Sequence, residues 1–177
     1  MDSSCDDEGD NGTLTAPIKR GVWVAERWLG VSIPAPPSNV ERIAPDTRDA
    51  KTLREQLALH SAHSSCAGCH AKSDGYGFAL ESFDVMGNFR SKYRIAGSGK
   101  EQKWQEGRPV DSSGLTPDGK AFASIKEWRA LLVQHPEQLA RGVTRHLVTS
   151  ATVEATWPVD QARVDAIVTE AAKDQYG

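Results

Sequence analysis

Cys66-Ala67-Gly68-Cys69-His70 places two thiols and an imidazole within five consecutive residues. Thiols separated by two residues match the spacing of the two vinyl groups of haem, so each can add across one vinyl to give a thioether. The histidine that follows is then held under the iron as its proximal ligand. The chemistry implied is covalent attachment of one haem c, with Cys66 and Cys69 as anchors and His70 on the iron. Two other uses of such a pair fit less well. A structural zinc site takes four ligands, usually from two such pairs, and the chain has three cysteines in all. A thioredoxin-like redox pair belongs beside a βαβ pattern, which this sequence lacks.

The sixth iron position is open to more than one residue. Met86 lies sixteen residues beyond His70, and a thioether there raises the potential of the iron. At about 3.3 Å per extended residue, the connection is long enough to pass from one haem face to the other. Met86 also falls on an expected apolar helical stripe, where methionine fills core. His60 and His146 are the alternatives; each sits on the apolar face of an expected helix, where a histidine also serves as a hydrogen-bonded core group. His63 and His135 read as helix-end residues. Arg90 and Tyr93, with Lys92 and Arg94 nearby, are candidates for holding haem propionates, which need cationic or hydroxyl partners when partly buried. A solvated surface is the alternative use for each. Trp104, Trp128 and Trp157 read as core or haem-edge packing.

The elements that must position these groups are mostly helical. Lys19 to Leu29 carries Val22, Ala25, Trp28 and Leu29 at helical spacing, with Gly30 as its stop. Ile33-Pro34-Ala35-Pro36-Pro37 reads as an extended polyproline run. Pro45 to Ser61 is the next expected helix, with Ala50, Leu53, Leu57 and His60 on one face and Asp46, Thr47 or Asp49 as cap. The haem motif follows directly. Gly75-Tyr76-Gly77 is expected to break the chain, and Phe78 to Val85 to form a shorter helix with Ala79, Phe83 and Met86 on one stripe. Residues 87–121 are dense in glycine, and the turn signals Ser112-Ser113-Gly114 and Pro117-Asp118-Gly119 bracket at most a small hairpin.

Further on, Ser124-Ile125-Lys126-Glu127 is a capping-box signature. It opens a helix that presents Trp128, Leu131 and Leu132 and ends at His135. Pro136 suits the first position of the next helix, with Leu139, Val143, His146 and Leu147 on one face. A last helix over about Asp160 to Lys173 buries Val164, Ile167, Val168 and Ala171. The expected fold class is all-α: a cytochrome c-like helical haem domain with a small β-hairpin and a C-terminal helical extension. The expected division is an acidic tail or linker over 1–14, disordered by composition, a haem-binding domain over 15–100, and the hairpin plus C-terminal helices over 101–177.

At 177 residues the chain fits one domain or two small packed halves. A formal charge of -3 gives no reason to expect nucleic acid as a partner. No apolar run approaches the roughly eighteen residues of a membrane span, so membrane insertion is not expected. No basic stretch followed by an apolar run opens the chain, so no signal peptide is visible. Because covalent haem attachment in bacteria follows export, the expectation is a portion of a larger periplasmic or secreted protein. Cys5 stands in the acidic tail as an incidental thiol or the partner of a cysteine elsewhere.

Several of these segments together resemble a family. Thr15-Ala16-Pro17-Ile18-Lys19-Arg20-Gly21-Val22-Trp23, the proline run, and Cys66 through Arg90 are similar to the C-terminal module of large planctomycete cytochrome-c-like proteins. Two adjoining domains of unknown function make up that module. Gly77-Phe78-Ala79-Leu80-Glu81-Ser82-Phe83-Asp84 is the most specific match after the haem motif. Asp111 through Gly119 and the helices after it resemble the second of the two domains. The resemblance covers nearly all of residues 15–170 and implies a haem domain within a larger extracytoplasmic protein. In that family the position of Met86 is commonly aliphatic, a histidine recurs at the place of His60, and the usual Tyr and Gly-Arg pair is absent here around Val148 to Glu154.

The expected function is a monohaem electron-transfer module that meets a redox partner protein or adjoining domains of its parent chain. Two other readings remain. One is a haem enzyme or gas-binding domain with an open sixth site; the other is an interaction module in which haem serves to fold a small core.

Overall fold

The computed structural model describes residues 15–34, 54, 55, 57, 64–95, 105–152 and 161–176, with the backbone alone for 64–66 and 95. The acidic tail, most of the helix expected over 45–61, and His60, His63, Trp104 and Trp157 lie outside the described residues. The described part is mostly helical with small antiparallel sheets.

Helix α1 spans Pro17–Arg27 and has proline in its first turn, where a missing amide proton is of no consequence. Pro17, Gly21, Val24 and Ala25 recur at helical spacing and are buried. The Trp28 amide donates to the Val24 carbonyl, and Gly30 turns the chain away at φ +63°, the left-handed conformation that ends helices. The stop at Gly30 is therefore where the spacing places it.

Helix α2 spans Ser64–Ala79. This corrects two expectations. Gly75-Tyr76-Gly77 does not break the chain, and no helix runs over Phe78 to Val85. The chain instead turns at residues 80–82 and folds back through a bridge between Phe83 and Phe89. The reason lies in what the glycines touch. A methyl group on Gly77 would overlap the Pro17 carbonyl, and one on Gly21 would overlap the Ser73 carbonyl. The two helices therefore cross antiparallel with their backbones in contact, and glycine serves close approach rather than chain reversal. Tyr76, between the two glycines, is buried in the central cluster.

Among the described residues there are two strand pairs rather than the single hairpin expected. Strand β1 (Lys92–Ile95) pairs antiparallel with β2 (Gln105–Pro109), with a bulge between Lys92 and Arg94. Strands β3 (Gly114–Leu115) and β4 (Ala121–Phe122) form the small hairpin, closed by the Thr116 amide on the Lys120 carbonyl at 2.9 Å.

Helix α3 (Ile125–Leu132) starts with the expected capping box: the Glu127 amide donates to Ser124 Oγ at 3.3 Å. The glutamate side chain returns to the amide of Ala123, one residue before the cap, at 2.8 Å. Ser124→Ala is expected to lower the unfolding free energy by about 1 kcal/mol, read as a lower urea midpoint at unchanged slope.

Helices α4 (Pro136–Thr152) and α5 (Gln161–Lys173) pack on each other. The apolar face expected for α4 is only partly right. Val143 and Leu147 are 55% and 65% exposed, while Gly142 and Thr144 are buried. Contact with α1 sets this rotation: Gly142 lies against the Trp28 carbonyl, and the Arg145 guanidinium donates to the Gly30 carbonyl and to Gln161. On α5, Val164 and Val168 are buried and Ile167 is exposed.

The core gathers Val24, Ala25 and Leu29 from α1, Tyr76 and Ala79 from α2, Phe122 from β4 and Trp128 from α3. Trp128 stacks on Trp28 at 6.4 Å and meets Tyr76 at 6.1 Å. Elements on both sides of residue 100 thus share one core, and α2 lies against α1 and β3.

Candidate functional site

Helix α2 is the platform for the motif. With about 100° of rotation and 1.5 Å of rise per residue, positions 66, 69 and 70 fall within roughly a third of its circumference, on adjacent turns. Cys69 is a free thiol, partly buried. His70 is also partly buried, and its Nδ1 lies 3.0 and 2.9 Å from the two carboxylate oxygens of Asp74, one helical turn on. An ionised carboxylate only accepts, so Nδ1 carries the proton and donates. A neutral imidazole in that tautomer has its lone pair on Nε2.

Among the described residues no three His, Cys, Asp or Glu side chains gather as a metal-binding group. Haem supplies four iron ligands itself and asks the protein for an axial nitrogen and two thiols. Positions 66, 69 and 70 offer that set on one helical face.

The other predicted site residues go to different places. Arg90 is buried and directed inward: its Nε donates to the Glu81 carbonyl at 3.0 Å and its Nη2 to Thr15 Oγ1 at 2.9 Å. Thr15 Oγ1 in turn donates to Glu81 Oε1 at 2.6 Å. The Arg90 guanidinium also lies over the Tyr93 ring, 5.0 Å from its centroid. Burial, reinforced by the Glu81 carboxylate, pushes the Tyr93 hydroxyl up to about 12. Arg90 and Tyr93 therefore meet on Glu81. Lys92 pairs with Glu106 at the surface, and Arg94 lies 3.9 Å from Asp84.

Met86 is 81% exposed and is not on a helical stripe. It sits in a turn that the Asp84 carboxylate organises by accepting from the Met86 and Asn88 amides, each at 2.9 Å. Those amides, Asn88's first, hold the Asp84 carboxyl below the usual carboxylate range. The turn is anchored on α1 by Arg20, whose guanidinium donates to the carbonyls of Leu80, Phe83 and Asp84 at 3.0, 2.7 and 2.8 Å. An open cleft of about 440 Å³ lies here, lined mainly by Trp23, Leu80, Phe83 and Val85 with Lys19 and Arg20. His146 is partly buried on α4, and His135 is exposed at the start of that helix.

Asp74, Glu81 and Arg20 were not singled out by the sequence. Asp74 carried a readable signal, since it stands four residues after His70 and the two share a helix face. For Glu81 the signal was absent, because its partners Thr15 and Arg90 are joined only by the fold.

Two family models match the chain. One, described as "Protein of unknown function (DUF1588)", matches residues 4–93, half of the chain. The other, described as "Protein of unknown function (DUF1585)", matches residues 118–177. No curated protein and no solved structure matches it.

Proposed function

The chain belongs to the DUF1588 family, and we propose that it is a module carrying one covalently attached haem c that passes single electrons, within a larger protein exported from the cytoplasm. The observation that supports this reading is the placement of positions 66, 69 and 70 on one face of a continuous helix, α2. Bound haem would supply the change between ferric and ferrous iron. Cys66 and Cys69 would anchor the group, and His70 would offer Nε2 to the metal. The crossing with α1 seats α2 backbone against backbone, a close packing that suits electron exchange without rearrangement. The redox partner is a separate protein or an adjoining domain of the parent chain. No helix among the described residues is long and apolar enough to cross a membrane.

The test is replacement of both anchors. Cys66→Ala with Cys69→Ala, exported alongside haem-attachment machinery, is expected to lose all haem that survives a denaturing gel, while the parent chain keeps it. Equal haem staining of the two bands overturns the reading.

One observation favours a second reading, a haem domain with an open sixth position. Met86, the first choice for that position, stands 81% exposed in its turn. Carbon monoxide separates the two. A low-spin iron that ignores the gas supports electron transfer with two protein ligands, and Met86→Ala then reports whether methionine is one of them. A high-spin iron that binds the gas promptly supports the open site.

A further inference from the structure

Resting on the haem reading above, we propose that Asp74 is the positioning residue for the iron ligand, fixing His70 with Nδ1 toward its carboxylate and Nε2 toward the iron, and that its charge lowers the iron's reduction potential. The geometry carries this. Both Asp74 oxygens lie within 3.0 Å of Nδ1, so the proton is shared with a full negative charge rather than with a neutral carbonyl. The His70 and Asp74 side chains are 13% and 14% exposed, which keeps most water and salt from screening the pair.

The helix itself sets the alignment. Residues four apart lie one above the other, so no loop movement is needed to keep the carboxylate on the ring. Ser73, between them in sequence and buried, faces the crossing with α1 and fixes the rotation of this turn. Its hydroxyl lies 3.4 Å from Asp74 Oδ1, long for a hydrogen bond, which leaves His70 as the closer partner of that carboxylate.

The electronic consequence follows from charge. A carboxylate that draws on the Nδ1 proton leaves more electron density on Nε2, and a more basic axial nitrogen favours ferric over ferrous iron. No bond is made or broken; Asp74 acts only through His70.

The experiment compares the exported, haem-loaded full chain with Asp74→Asn and Asp74→Glu by spectroelectrochemical titration, with haem per chain and helix content measured alongside. Asp74→Asn keeps a hydrogen-bond acceptor but removes the charge, so its midpoint potential is expected to rise at unchanged haem content. Asp74→Glu restores the charge and is expected to return toward the parent value. An Asn variant with full haem and the parent potential overturns the proposal, and leaves the haem reading standing. Should the Asn variant fail to accumulate, Asp74→Ser, which also removes the charge, decides: a raised potential at full haem content supports the proposal, and the parent potential overturns it. A parent chain without covalent haem overturns the haem reading and this proposal together.

Discussion

Gly77→Ala is expected to destabilise the fold by about 2 kcal/mol, the opposite sign from the usual effect of alanine inside a helix. Replacing a mid-helix glycine by alanine ordinarily stabilises by about 1 kcal/mol, because the unfolded chain loses freedom. At Gly77 the added methyl overlaps the Pro17 carbonyl, which is backbone and has no side-chain rotation by which to retreat. Overpacking of this kind costs roughly 1–3 kcal/mol, and a rigid neighbour puts it at the upper end. The gain from propensity offsets only part of that. Gly68 provides the contrast on the same helix, since nothing lies within 4 Å of a methyl group built there. Gly68→Ala is therefore expected to raise stability by roughly 0.5–1 kcal/mol. Urea unfolding of the two variants measures both signs. Equal stabilisation by both would mean that α1 and α2 do not touch at Gly77.

Glu81→Ala is expected to be the most damaging single change, at about 3–5 kcal/mol. Glu81 and Arg90 have side chains 5% and 8% exposed, and Thr15 is buried with them. Removing the carboxylate leaves a guanidinium that cannot shed its charge inside the fold, and takes the acceptor from Thr15 Oγ1. The pair itself is a weaker stabiliser than this loss implies, because both charges must be taken from water to form it. Glu81→Leu with Arg90→Met should consequently recover most of the stability lost in Glu81→Ala. Thermal or urea unfolding of single and double variants checks this. A double variant as unstable as the single one would show that Arg90 does not depend on Glu81.

Local patterns predicted helix ends correctly where the physics is local. Gly30, Ser124 and Pro136 mark helix ends through backbone conformation, capping and a missing amide, and all three stand where they were expected. Gly75 and Gly77 misled because one residue type serves two purposes: it reverses a chain, and it lets two backbones touch. Only the partner distinguishes them, and Pro17 lies sixty residues from Gly77. The apolar face of α4 was misjudged for a similar reason, since contact with Trp28 and Gly30 sets its rotation. At the site, the shared helical face of positions 66, 69 and 70 was legible because the motif is written in consecutive residues. The Thr15–Glu81–Arg90 network was not, since it is joined across the fold.

The proposed function rests on covalent attachment of haem through Cys66 and Cys69. Its most direct test is the intact mass of the exported full chain after acid–acetone extraction, read together with alkylation of its thiols. The expected result is a chain heavier by one haem, with neither Cys66 nor Cys69 open to alkylation. A chain of bare polypeptide mass, its pigment gone into the acetone and both thiols alkylated, would contradict it.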